Sequence, residues 1–183
     1  MAAAPVPPQP KRRGFLKECL AVVLGALAGA APAGAGLAVL LDPLRRHGGQ
    51  FTGFIRVASL SAVPPDGVPR KFPVIASHTD AWNKFPAVPV GAVYLRRTAD
   101  TPLRAFNVIC PHAGCFVDYV AARHGYLCPC HNSTFDLEGR IQDTRSPAPR
   151  GLDELAVELR NGTEIWVRFQ NFRAGTARRI PLT

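Results

Sequence analysis

The chain has 183 residues, with 22 Lys and Arg against 13 Asp and Glu, a formal charge of +9. That length excludes two full domains, and 47% apolar against 19% charged residues excludes wholesale disorder, while 18 Pro and 16 Gly argue against a helical bundle and for short strands with many turns. The charge excess lies at the ends, since residues 54–169 carry 13 basic and 11 acidic groups, so no basic groove is expected on the body and nucleic acid is not expected as a partner.

Residues 1–18 open Ala/Pro-rich and then carry Lys11-Arg12-Arg13-Gly14-Phe15-Leu16-Lys17. The adjacent arginines followed by x-Phe-Leu-Lys resemble a twin-arginine export signal, with Lys11 in the place of the usual Ser or Thr. Residues 19–41 form 23 consecutive uncharged positions. About 20 helical residues cross a bilayer core, so this segment is read as one transmembrane anchor. It is longer than the roughly 7–15 apolar residues of a cleaved signal, and retention is expected despite the small-residue stretch Ala30-Ala31-Pro32-Ala33. Its glycines weaken it as a helix, and Pro32 is expected to kink it. Basic residues ahead of the span place residues 1–18 in the cytoplasm and the body on the periplasmic side of a bacterial cell membrane. Residues 42–53, with Gly48-Gly49, read as a flexible hinge.

From residue 54 onward, short apolar runs alternate with turn residues. Strands are predicted at 54–58, 72–76, 92–97, 105–109, 116–120, 155–159 and 164–169. Asn161-Gly162 predicts a hairpin between the last two, because both residues tolerate positive φ. Gly125 suggests a further turn. Trp82 and Trp166 read as packing residues. The fold class is therefore all-β: a small antiparallel body behind one N-terminal helix. Residues 170–183 form a basic tail for which a solvated extension and a contact with partners or anionic lipid are equally good readings.

Four of the five cysteines lie within 21 residues, in Cys110-Pro111-His112-Ala113-Gly114-Cys115 and Cys128-Pro129-Cys130-His131-Asn132-Ser133. Each cluster supplies two Cys and one His. Two Cys with two His bind tetrahedral Zn, or a [2Fe–2S] cluster with two thiolates on one iron and two imidazoles on the other. One Cys and one His from each cluster would leave two thiols over, and an oxidising compartment favours pairing of such thiols.

C-x-H-x-G-C followed by C-P-C-H-x-S resembles the Rieske iron–sulfur proteins of quinol-oxidising cytochrome bc and b/f complexes. A twin-arginine anchor, a Gly-containing linker, a β body and a Pro-rich loop at Ser146-Pro147-Ala148-Pro149 follow in the same order. The resemblance implies a Rieske-type body at 54–169 with cluster-binding loops within 110–149. It implies Cys110 and Cys128 on the inner iron of a Rieske [2Fe–2S] cluster, His112 and His131 on the outer iron, and a Cys115–Cys130 disulfide. Ser133 would donate to a cluster sulfur, and Pro147 to Pro149 would cover the cluster.

The family often carries a Tyr where this chain has Phe135. The missing hydroxyl predicts a lower potential, which suits menaquinol. Asn132 stands for a common Gly, and Ala113 for a common Leu at the docking tip. The implied activity is that of the electron-transfer subunit of a quinol:cytochrome c oxidoreductase, with His131 or His112 meeting the quinol. The implied partners are a cytochrome b-type subunit and a c-type cytochrome in a dimeric membrane complex. An exported molybdenum oxidase of the arsenite-oxidase kind is the alternative host for such a subunit.

Overall fold

The computed structural model describes residues 12–45, 53–79 and 83–182. Lys11, the Gly48-Gly49 hinge reading and Trp82 lie outside them. The chain divides into two compact units, residues 1–47 and 48–183.

The first unit holds helix α1, Arg12–Arg45. It extends past both ends of the predicted 19–41 span, and Asp42 to Arg45, expected in the hinge, are helical. The helix assignment runs unbroken through Pro32. The fixed φ of proline, near −65°, is itself helical, so the helix continues through Pro32, and a bend of its axis there is compatible with that. The most apolar 18-residue window within Arg12–Asp42 has a mean hydropathy of 1.9. Leu20, Val22, Leu27 and Leu40 are more than half exposed. This helix is long and apolar enough to cross a membrane.

The second unit is built from three antiparallel sheets. Strands β1 (Ile55–Ser59), β9 (Val157–Arg160) and β10 (Glu164–Val167) form one, in the order β1-β10-β9. Strands β2 (Arg70–Thr79), β3 (Lys84–Arg96), β4 (Arg104–Asn107) and β8 (Glu154–Leu155) form the second, in the order β2-β3-β4-β8. Strands β5 (Asp118–Val120), β6 (Gly125–Leu127) and β7 (Thr134–Asp136) form the third, in sequence order.

The seven predicted strands each overlap an observed one, and the all-β reading holds for this unit. The predicted strand at 155–159 is divided at Ala156 into β8 and β9, which belong to different sheets. Strand β3 starts eight residues before the expected position. Pro86 and Pro89 lie in that added segment, where β3 pairs only with β2 and keeps a free edge that tolerates a missing N–H. Asn161 and Gly162 both take positive φ, 51° and 68°, in the turn joining β9 to β10. The turn near Gly125 falls one residue earlier, at His124 with φ 46°. Trp166 is half-buried, with the Arg160 guanidinium 4.5 Å from its ring.

Alternation along the middle sheet divides the interior into two cores, because successive strand residues face opposite sides. Val93 and Leu95 join Val74, Ala105, Ile165 and Val167 in the first core. Tyr94 and its cross-strand partner Phe106 join Val108, Val117, Tyr126 and Phe135 in the second. Cys110 and Cys128 belong to that second core. The segment after Phe169, expected as a tail, is part of the body. Phe172 is buried in the first core, and Asn171 accepts a hydrogen bond from the Leu182 N–H at 2.9 Å. The basic charge had hidden one buried aromatic.

Candidate metal centre

The two Cys/His segments fold into the same backbone knuckle. In the first, the Gly114 N–H donates to the Cys110 carbonyl at 3.0 Å and the Cys110 N–H to the Cys115 carbonyl at 2.7 Å. In the second, the Asn132 N–H donates to the Cys128 carbonyl at 3.0 Å and the Cys128 N–H to the Ser133 carbonyl at 2.8 Å. Each knuckle projects a cysteine inward from its start. Cys110 and Cys128 are free thiols, 0% and 1% exposed. Burial raises the Cys110 thiol above its usual range, opposed by the nearby His112 N–H.

The two loops are joined by the Cys115–Cys130 disulfide. The Cys128 sulfur lies within 4.8 Å of both disulfide sulfurs. Those two sulfurs are bonded to each other, so this group of three cysteines is not itself a ligand set. The His112 and His131 rings stand edge to face, with centroids 4.8 Å apart and planes at 89°. They are unequally exposed. His112 is half-buried, and its Nδ1 is buried with no hydrogen-bond partner, whereas His131 is exposed. A groove of about 330 Å³ lies beside His131, lined by Arg123, Leu127, Asn132, Thr134 and Arg145 among others.

Ser133 is fully buried. Its hydroxyl lies next to the Cys110 sulfur but makes no hydrogen bond of ordinary geometry. Phe135 sits on β7 with 0% exposure, packed in the core that holds both thiols. In the Pro-rich loop it is Ala148 that enters this core, while Pro147 and Pro149 are exposed. Covering was expected from the prolines. Of the three residues, it is the small side chain between the prolines that makes the contact with this core. Thr134 N–H donates to the Ser146 hydroxyl at 3.4 Å, tying this loop to the second knuckle.

Two supports went unread in the sequence. Tyr94 reaches across from β3, accepting the Tyr119 N–H at 3.0 Å and donating to the Val117 carbonyl at 3.4 Å, which braces the exit of the first knuckle. Asn107, 1% exposed, accepts the Ile109 N–H at 2.9 Å just before Cys110. A lone Asn between Phe106 and Val108 in an apolar strand was the available signal for a buried polar bracket.

The family model described as "Rieske [2Fe-2S] domain" matches residues 53–161. The chain belongs to the Rieske [2Fe–2S] domain family. Relatives include the chloroplastic cytochrome b6-f complex iron-sulfur subunit of Chlamydomonas reinhardtii, 43% identical over 61 residues, covering 32% of this chain and 29% of the relative. The corresponding rice subunit, from Oryza sativa subsp. japonica, is 35% identical over 86 residues, 45% of this chain and 37% of the relative. The matches thus span about a third of these relatives' lengths. Among solved structures, a cyanobacterial plasma membrane Rieske protein from Synechocystis PCC 6803 is 24% identical with a TM-score of 0.43, covering 62% of this chain and 97% of that one. The family's group is a Rieske [2Fe–2S] cluster, and the donors present fit it. They are two buried free thiols and a pair of crossed imidazoles, one of which, His112, has a buried Nδ1 with no hydrogen-bond partner among the described residues.

Proposed function

We propose that this chain is the Rieske electron-transfer subunit of a membrane-bound quinol:cytochrome c oxidoreductase of the bc type. The observation that carries the reading is the pairing of two buried thiols with two crossed, unequally exposed imidazoles on disulfide-tied knuckles. Cys110 and Cys128 would hold the inner iron, and His112 and His131 the outer one. When bound, the cluster supplies a one-electron couple roughly between −150 and +300 mV, high enough to oxidise a quinol. The Ser133 hydroxyl, which finds no protein partner, would donate to a cluster sulfur. Ala148 and Phe135 keep water from the thiols.

His131 is the outward group. Were Nδ1 of His131 to hold the iron, its Nε2 would be free to accept the hydrogen bond of a quinol hydroxyl and to take that proton. The adjoining groove offers Leu127 to an apolar ring and Arg123 to its oxygens, while Arg145 is paired with Asp143 at 2.8 Å. Phe135 supplies no hydroxyl to a ligand sulfur, which favours a lower potential and menaquinol as the reductant.

Helix α1 anchors the chain in the cell membrane, with the twin-arginine end in the cytoplasm and the body on the outer side. A cytochrome b-type subunit and a c-type cytochrome are the partners, in a dimeric complex. The relatives named as cytochrome b6-f subunits support that class.

The test is purification from native membranes, with iron and labile-sulfide assay, EPR of the dithionite-reduced material and identification of co-purifying subunits. Two iron and two sulfide per chain, a histidine-ligated EPR signature and a co-purifying cytochrome b are expected. Zinc in place of iron would overturn the cluster reading. A large molybdopterin protein in place of cytochrome b would overturn the complex.

A further inference from the structure

The segment after Phe169 turns back on itself as a short hairpin. Arg173 N–H donates to the Ile180 carbonyl at 2.8 Å, and Leu182 N–H to the Asn171 carbonyl at 2.9 Å. Its root is held by Asn107, whose Nδ2 donates to the Gln170 carbonyl and to Asn171 Oδ1, both at 2.9 Å. Its outer side is clamped at Asp153, a buried carboxylate that accepts from Arg150 at 2.7 and 3.0 Å and pairs with Arg179 at 3.3 Å. Arg150 also donates to the Thr176 carbonyl, and the Arg179 guanidinium caps the Phe172 ring at 4.5 Å. The tip of the hairpin reaches the first knuckle. Gly175, at φ +72°, donates its N–H to the Pro111 carbonyl at 2.8 Å.

That carbonyl is one end of the planar peptide joining Pro111 to His112. The other end of the same peptide is the His112 N–H, which lies close to the Cys110 sulfur. A hydrogen bond on the oxygen therefore sets the tilt of the N–H as well. The hairpin tip also lies beside His112, since a Cβ at Gly175 would come within 3.7 Å of the His112 carbonyl. At the second knuckle the loop at Ser146 is tied only at Thr134, just beyond the Cys128–Ser133 turn, and His131 is exposed where His112 is half-buried.

We propose that the hairpin Gln170–Leu182 is a positioning strap: through Gly175 it fixes the Pro111–His112 peptide, aims the His112 N–H at the Cys110 sulfur and shields the His112 ring. It acts through the knuckle and touches no substrate. The inference rests on the ligand reading proposed above. A donor held on a ligand sulfur stabilises the more negative, reduced cluster, so the strap raises the potential.

The test compares the full-length protein with two variants, a stop after Arg173 and Arg179→Ala, the second loosening the clamp without shortening the chain. Three quantities are read: the midpoint potential, the EPR g-values of the reduced protein, and the rate of diethyl pyrocarbonate labelling at His112 relative to His131, mapped by mass spectrometry. The truncation is expected to lower the reduction equilibrium constant by up to about tenfold, roughly 59 mV for one electron. It is also expected to shift the g-values and raise His112 labelling severalfold towards that of His131. Arg179→Ala is expected to move all three the same way by less. If the truncated chain takes up no cluster, Arg179→Ala decides. A variant that keeps its cluster with potential, g-values and His112 labelling unchanged overturns the strap. A wild-type protein without a histidine-ligated signal overturns the ligand reading instead, and His112 labelling in the cluster-free chains then judges the strap alone.

Discussion

Asn132 occupies in the second knuckle the place that Gly114 occupies in the first. Each donates its N–H to the carbonyl of the cysteine four residues earlier at 3.0 Å, and each is left-handed, φ +59° and +81°. Asn is the ordinary residue that tolerates this conformation best, so the departure from Gly leaves the knuckle intact.

Gly114→Ala is expected to destabilise the protein by about 1–2 kcal/mol. A Cβ at Gly114 meets nothing within 4 Å, so the cost is backbone strain alone. Asn132→Gly is expected to be near neutral, since relief of the left-handed cost is offset by greater freedom of the unfolded chain. Chemical denaturation of the detergent-solubilised chain measures both. An unchanged midpoint for Gly114→Ala would contradict the knuckle geometry.

The Cys115–Cys130 link closes 15 residues between the two knuckles. In the chain-entropy model such a closure is worth about 3 kcal/mol. The double variant Cys115→Ala/Cys130→Ala is expected to lose about that much stability in urea, under oxidising conditions. Either single variant is expected to fare worse than the double one. It leaves a thiol within 4.8 Å of Cys128, free to mispair with it. Non-reducing peptide mapping reads the mispairing directly. Single variants as stable as the wild type would show that the disulfide does not brace the loops.

Ser133 has opposite effects with and without its cluster. Its hydroxyl is buried without a protein partner, a state costing about 1–3 kcal/mol. Ser133→Ala is therefore expected to stabilise the cluster-free chain while lowering the potential of the loaded one. About 1.4 kcal/mol of lost stabilisation corresponds to about 59 mV for one electron. Phe135→Tyr is expected to raise the potential and to cost some stability, because Phe135 has no exposed surface and the core must admit an added oxygen. Voltammetry of the purified protein checks both, and an unmoved potential in Ser133→Ala would remove Ser133 from the cluster's surroundings.

The parts of this protein that were legible before the structure are those with strong local patterns. Paired Cys-x-His and Cys-x-x-His segments announced the ligand loops, and Asn161-Gly162 announced its turn. Strands β6 and β7 went unseen because three residues show no alternation, and because Gly125 and Thr134 flank the ligand motif rather than an apolar run. Pro86 and Pro89 concealed half of β3, since whether a strand edge is free is a property of the sheet. The C-terminal hairpin was hidden for another reason. Arg173, Arg178 and Arg179 read equally as solvated charge or as a contact for partners or lipid, and only the fold reveals that Arg179 meets a buried Asp153. Ala148 was passed over in favour of its flanking prolines, because exposure within a loop depends on what the loop is folded against.

Tyr126 connects burial to behaviour at alkaline pH. It is 1% exposed, its ring is 5.0 Å from that of Tyr94, and its hydroxyl has no hydrogen-bond partner. Burial raises its phenol well above the usual value near 10, and burial also raises Tyr94. The neutral form is favoured in the folded state, so above pH 10 the unfolded chain releases protons that the folded chain retains. The stability due to Tyr126 is thus complete below about pH 10 and falls as the pH rises towards the folded pKa, by up to about 1.4 kcal/mol per pH unit. Tyr126→Phe removes that fall together with an unpartnered hydroxyl. It is expected to be neutral or stabilising at pH 7 and to flatten the decline between pH 10 and 11. Urea unfolding at a series of pH values tests this. A Tyr126→Phe protein that is less stable at pH 7 by more than about 1 kcal/mol would mean that the hydroxyl has a partner after all.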